Sequence, residues 1–362
     1  MIIRGLPKDI PPESYLNLDF TLADACSWAP AGHHVAFGQV QLREPTTKPS
    51  WDVFPSPLGR LPGLELKGQK LLTIGRSTGS TWVFDLSLGT LTSWTRPERP
   101  QVNLLTEPLR FDLYRAPTDN DRGCDFGRDW LASRLHQAKS HVTKVTWEIK
   151  GGFVKIVSEA RIAPPVLNWT LDTHTTFYFD GTAVRIHVKA KPNGLRLPKT
   201  FGRFGLSLAL ADCERVRWFG RGPGESYRDK KMSQAIGNWE EPVDNLFTDY
   251  EFPQDSGNRT DVRWVEFLRK GSGPEGAEGC ERLIRASFGG LDGASFQALH
   301  YSTRDLDECT HPFELHKRKR KDTVVHLDWF HHGLGTGSCG PETLPQYQLR
   351  ADQKFEAELL LE

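Results

Sequence analysis

Nine residues, Arg115-Ala-Pro-Thr-Asp-Asn-Asp-Arg-Gly123, hold five charged or amide side chains around one proline, a density that no ordinary packing rule demands. Carboxylates, guanidinium groups and an amide in one short loop could orient a polar ligand or brace a neighbouring segment. The run follows the apolar-rich stretch Leu109 to Tyr114 and precedes a segment with helical spacing, so it reads as a strand end turning into a shaped loop. A plainer reading stands beside it: Pro117, Asp119 and Asn120 are turn formers, and Asp119 or Asp121 could cap the helical segment.

The chemistry these residues could perform is limited. Hydrolysis by paired carboxyl groups, for example, needs one held protonated as an acid and one ionised as a base or nucleophile. Asp119 and Asp121 are close in sequence, but Arg115 and Arg122 would keep both ionised. Glu225, with Arg221, Tyr227 and Arg228 around it, reads as an ion-paired brace of a turn. No Gly-x-Ser-x-Gly elbow is present, and no histidine pair has metal-ligand spacing. Six cysteines (26, 124, 213, 280, 309, 339) lie far apart and read as reduced, intracellular thiols.

The elements that must position these residues are strands. Alternation over Tyr15 to Ala23 and through Val35, Phe37, Val40 and Leu42 predicts two strands, with a slip near Gly38. Further strands are expected at Lys70 to Arg76, Thr81 to Leu86, Val142 to Lys150, Phe153 to Ala160, Leu171 to Phe179 and Ala183 to Ala190. Gly151-Gly152 and Asp180-Gly181 mark hairpins between the later pairs. Strands at 204–210, 215–219, 262–268, 284–288, 296–300, 324–330 and 355–361 complete an all-β chain. One helix is expected over Asp129 to Lys139, with Trp130, Leu131, Leu135 and Ala138 on one side. So many antiparallel strands imply two large packed sheets. Gly271 to Gly279 reads as an inserted loop. The basic run in His316 to Asp322 reads as a solvated hairpin tip between strands at 312–315 and 323–330.

Composition narrows the partners. Lys plus Arg and Asp plus Glu number 46 each in 362 residues, which argues against a nucleic-acid or acidic-membrane binder. No run of 18 apolar residues could span a bilayer, and the N-terminus has no signal-peptide core. Eleven tryptophans could stack on sugars, though core filling must take most of them.

Two further segments, Trp218-Phe-Gly-Arg-Gly-Pro-Gly-Glu-Ser-Tyr-Arg-Asp229 and Phe252-Pro-Gln-Asp-Ser-Gly-Asn-Arg-Thr-Asp-Val-Arg-Trp264, come after the first in order. With Tyr301-Ser-Thr-Arg-Asp-Leu306, His311, Leu327-Asp328, Gly333-Leu-Gly335 and Gly340-Pro341, the set resembles the carboxy-terminal domain, or small chain, of the family 2 β-galactosidases. Leu16-Asn-Leu-Asp-Phe20 and Trp28-Ala-Pro-Ala-Gly-His33 resemble the end of the immunoglobulin-like domain before it. The resemblance implies a galactose mutarotase-like supersandwich over residues 66–362, a linker at 45–65, and a partial immunoglobulin-like sandwich at 1–44. It implies Arg115, Asp119, Asn120, Asp121, Arg221, Glu225, Asn258 and Arg259 as motif residues that hold the frame. It also places Ser338, Cys339 and Gly340 against substrate, in a loop that closes one wall of the sugar pocket. Bacterial relatives commonly carry tryptophan where Cys339 stands; the cysteine form occurs in fungal-type relatives and cannot stack on a ring.

The family's catalytic glutamates sit on a (β/α)8 barrel, which needs about 250 residues of alternating elements. This chain lacks them. The expectation is therefore a β-galactosidase small chain, silent alone, that completes a pocket for terminal β-D-galactosides such as lactose. Its partner would be a barrel-bearing large chain or domains, in a cytoplasmic oligomer. The chain itself would bind no cofactor; Mg2+ and Na+ or K+ belong to the complete enzyme. A freestanding carbohydrate-binding module is the alternative, and an epimerase or lyase on the concave sheet a third reading.

Overall fold

The computed structural model describes residues 9–45, 65–67, 69–75, 79–150, 152–271, 279–289 and 293–362. The chain divides into two compact units, Met1–Ser50 and Trp51–Glu362. In the first, β1 (Ser14–Thr21) and β2 (His34–Arg43) form an antiparallel pair. Leu18 faces Gly38 with no slip there; the register shifts instead at Ser14/Tyr15 and Phe20/Thr21, near the strand ends. Phe20, Val35, Phe37 and Val40 are exposed, and the described residues of this unit supply no second layer over the pair.

In the second unit the strands are, in chain order, β3 (Glu65–Lys67), β4 (Leu71–Gly75), β5 (Thr81–Asp85), β6 (Thr90–Thr95) and β7 (Leu105–Asp112). After two short helices come β8 (Lys139–Lys150), β9 (Phe153–Ala163), β10 (Trp169–Phe179), β11 (Val184–Gly194), β12 (Arg203–Leu210) and β13 (Arg215–Gly222). The series ends with β14 (Ala235–Pro242), β15 (Trp264–Lys270), β16 (Cys280–Phe288), β17 (Ser295–Leu299), β18 (Thr323–His331) and β19 (Phe355–Leu361). A nine-stranded sheet runs β14-β13-β15-β16-β19-β11-β10-β9-β8, and two four-stranded sheets run β17-β18-β12-β7 and β3-β4-β5-β6.

Both smaller sheets pack on the large one. Phe204 of β12 stacks on Phe355 of β19 at 4.5 Å, and Phe296 of β17 meets Trp218 of β13 at 5.5 Å. Phe84 of β5 meets Phe177 of β10 at 5.0 Å. The alternation of β9 buries Val154, Ile156, Ala160 and Ile162 toward this interior. The fold is an all-β, large antiparallel sandwich whose hairpins at Gly152 and Gly181 use positive φ angles of 91° and 90°.

Helices are more numerous than the sequence predicts. They are α1 (Asp119–Gly123), α2 (Asp125–Ala132), α3 (Thr303–Glu308) and α4 (Pro312–His316). The helix expected over 129–139 starts at Asp125 and stops at Ala132; Arg134, at φ 50°, breaks it before a 3-10 turn at Leu135–Gln137. Leu131 is consequently exposed while Trp130 and Leu135 are buried. The basic run comes after a helix rather than a strand, since Pro312 starts α4 and Glu314 caps it. Its charges are partly used internally: Arg318 meets Glu308 at 2.8 Å, Lys319 meets Asp244 at 2.6 Å and Arg320 meets Glu107 at 2.6 Å. Most of the expected 45–65 linker and the 272–278 part of the glycine-rich loop lie outside the described residues.

Candidate functional site

Thr118 caps α1: its hydroxyl accepts the Asp121 N–H, and the Asp121 carboxylate accepts the Thr118 N–H at 2.8 Å. Neither Asp119 nor Asp121 is the cap itself; Asp121 closes the capping box three residues on. Asp121 is fully buried and takes a two-pronged pair from Arg115, at 2.6 and 3.0 Å. Burial pushes its carboxyl up, against the pull of the Arg115 guanidinium and the Thr118 donors. Arg115 also lies 5.1 Å from the Trp130 ring and donates to the Gly333 carbonyl. Arg115 and Asp121 thus tie the start of the motif to its helix and to the C-terminal loop.

Asn120 and Asp119 face the other way. Asn120 donates to the Gly335 carbonyl at 2.9 Å, and its own oxygen accepts the Ser338 hydroxyl at 2.6 Å. Asp119 exchanges two bonds with the Gln254 amide, through its backbone N–H at 2.9 Å and its carboxylate at 3.1 Å. A Cβ on Gly123 would come within 2.3 Å of the Gly337 carbonyl, so only glycine lets α1 lie flush on the C-terminal loop.

The second and third motifs form the floor. Arg221 pairs with Asp261 at 2.6 Å, and Lys231 joins the same carboxylate at 2.9 Å. Asn258 donates to the Ser226 carbonyl at 2.8 Å. Arg259 is held by the carbonyls of Pro223, Leu246 and Gly257, and burial lowers its guanidinium to about 10, so it stays cationic near neutrality. Glu225 departs from expectation. Arg221 is committed to Asp261, so Glu225 takes donors from farther along the chain: the Tyr250 hydroxyl at 2.5 Å, the Thr248 hydroxyl at 3.2 Å and the Gly257 N–H at 2.9 Å. Lys230, not Arg221 or Arg228, is its nearest cation, at 3.8 Å.

These pieces meet around an open pocket of about 210 Å³, lined by Asn120, Glu225, Tyr250, Gln254, Leu334 and Ser338 among others. Of the substrate-facing trio expected from sequence, Ser338 lines it. Cys339 and Gly340 do not; Cys339 is exposed, and the Gly340 N–H closes a turn on the Thr336 carbonyl at 2.7 Å. Asp255, at the floor, accepts from Arg203 at 2.8 Å and from the Tyr227 hydroxyl at 2.9 Å. Burial and neighbouring carboxylates raise the Tyr227 and Tyr250 hydroxyls, so both remain donors. The three carboxylates of the lining, Asp119, Glu225 and Asp255, are each occupied by protein donors. The rest of the polar lining includes the exposed Lys230 ammonium and the hydroxyl and amide groups of Tyr250, Gln254, Asn120 and Ser338, which also bond within the protein.

Sequence reasoning missed Asp229, Gln254, Tyr250 and Arg203. Asp229 and Gln254 stand inside the second and third motifs, but their partners lie more than a hundred residues away. Among the described residues no group of three His, Cys, Asp or Glu side chains is placed to hold a metal ion, and no helix has the length and apolarity to cross a membrane. All six cysteines are free thiols.

Among solved structures, the galactose 1-epimerase of Lactobacillus acidophilus NCFM aligns over 83% of this chain and 98% of its own, with a TM-score of 0.40 and 8% identity. An alpha-galactosidase of Geobacillus stearothermophilus aligns over 81% of this chain and 40% of its own, at 0.40 and 9%. Likeness at that level carries no argument about chemistry. Sequence relatives are nearer. The beta-galactosidase of Kluyveromyces lactis is 28% identical over 94% of this chain and 31% of its own length. That of Priestia megaterium is 29% identical over 95% and 31%. The chain therefore spans about a third of the length of the curated relatives it matches. A model described as beta-galactosidase domain 4 matches residues 3–43. A second, covering residues 76–361 and so every part of the pocket, carries the identification: the chain belongs to the beta galactosidase small chain family.

Proposed function

We propose that this chain supplies one wall of a β-galactosidase pocket and the contacts that seat it, for hydrolysis of terminal non-reducing β-D-galactosides such as lactose. The acid and nucleophile would come from a barrel-bearing large chain or domains, and so would the Mg2+ and the Na+ or K+ ions. The observation that carries this reading is the pocket where the three motifs meet the C-terminal loop. Its hydroxyl and amide groups suit a sugar, while Asp119, Glu225 and Asp255 are all engaged by internal donors. A glycosidase pair must instead be free to face the scissile bond from both sides. Ser338, with Cys339 and Gly340 beside it, would face the substrate. Arg115, Asn120, Asp121, Arg221, Asn258 and Arg259 would hold the frame. A cytoplasmic oligomer suits a chain of six free thiols that works as part of a larger assembly.

Mixing the purified chain with a large chain bearing the barrel tests this. Release of nitrophenol from a nitrophenyl β-galactoside should appear only in the mixture and saturate at a fixed ratio. Retention on immobilised galactose with no complementation would favour a freestanding carbohydrate-binding module.

A further inference from the structure

We infer that Asp229 is a positioning residue for the galactoside, acting through the C-terminal loop; this rests on the proposed role in a galactosidase pocket. Two loop residues line the pocket, Leu334 and Ser338. Each is tied by a different side chain. The Asp229 carboxylate accepts the Leu334 N–H at 2.9 Å on one oxygen and the Gly335 N–H at 2.8 Å on the other. Asn120 accepts the Ser338 N–H at 3.2 Å and its hydroxyl at 2.6 Å. Asn120 itself lines the pocket, whereas Asp229 stands behind the loop and lines no part of it.

The fit at Asp229 leaves the loop no slack. A Cβ on Gly333 would come 2.6 Å from its carboxylate, and Gly335 holds a φ of 63° beside Thr343. Two consecutive N–H groups converging on one carboxylate form a charge-assisted cradle, stronger and more directional than neutral bonds. Without it, Leu334 and Gly335 lose their N–H acceptors. The loop is then held on either side of them by the Gly333 N–H on the Tyr347 carbonyl at 2.9 Å, the Arg115 and Thr343 contacts at 3.3 Å to the Gly333 carbonyl, and the Asn120 tether. The wall that meets the sugar would then sample several positions, and substrate would bind a fraction of them.

The test uses the full chain, alone and assembled with the large chain. In Asp229→Ala, hydrogen exchange at the Leu334 and Gly335 amides should speed up about tenfold or more, with the nine-stranded sheet unaffected. In the assembled enzyme, KM for a nitrophenyl β-galactoside should rise about five- to tenfold while kcat stays within about twofold. Asp229→Asn, which keeps one acceptor, should fall between. Unchanged exchange, or faster exchange with an unchanged KM, overturns the proposal. So does a loss confined to the amount of complex formed, read separately by titrating the large chain. If the unaltered chain fails to complement, the function itself is lost, and the exchange result still states whether Asp229 holds the loop.

Discussion

Strand β12 is buried along its whole length, yet its two faces are built from opposite materials. Phe204, Leu206, Leu208 and Leu210 point into the interior shared with the nine-stranded sheet, where Phe204 stacks on Phe355 and packs on Trp329. Arg203, Gly205 and Ser207 point the other way, into a buried polar layer with Asp255, Gln297, His326 and Asp328. The apolar face needs only volume and shape, so similar hydrophobes can substitute. The polar face must keep its charges paired, because a buried ion without its partner is far costlier than a small cavity. This second layer reaches the pocket through Asp255 and Tyr227, both of which line it.

Breaking one side of that contrast should have the largest effect. Arg203→Met leaves Asp255 and Asp328 without their shared cation, at 2.8 and 3.5 Å, and should destabilise by about 3–5 kcal/mol in urea unfolding. Leu206→Met, on the opposite face of the same strand, should cost less than about 1.5 kcal/mol. Equal costs would dissolve the distinction.

A pH series sharpens it. Burial raises the Asp328 carboxyl to about 7, with Arg203 opposing and the Asp112 and Asp255 carboxylates adding to the rise. A carboxyl whose folded value exceeds its unfolded one binds more protons when folded, so its contribution is full below the unfolded value and is lost as pH rises through about 7. His331 and His332 act in the reverse sense: burial and the nearby arginines hold them well below the usual range, and their contribution is lost as pH falls. Asp328→Asn should therefore gain on the unaltered chain from pH 5 to about pH 7 and level off above it. A stability difference that is flat across this span would refute the assignment. The smallest effect is expected at the pocket rim. Tyr250→Phe removes one of three donors to Glu225 and should cost about 0.5–1.5 kcal/mol.

The two faces also differ in what the sequence discloses. Alternation in β9, β10 and β19 was legible because strand burial has period two, and the hairpins at Gly152 and Gly181 because turn chemistry is local. Arg115 and Asp121, six residues apart, form a pair the sequence could anticipate. The partners of Glu225 could not be read, since Tyr250 and Gly257 arrive from 25 and 32 residues away and outcompete the adjacent Arg221. Asp229 went unmarked for the same reason, its acceptors being spent on Leu334 and Gly335 over a hundred residues on. The short helices α3 and α4 hid because capping boxes, rather than long apolar periods, define them.

The central claim is that the chain shapes a sugar pocket whose reacting groups reside elsewhere. Steady-state turnover of a nitrophenyl β-galactoside by the homogeneous, isolated chain tests it most directly, with Glu225→Gln alongside. The account predicts no release above the uncatalysed rate for either protein. Sustained turnover by the unaltered chain, abolished in Glu225→Gln, would contradict it.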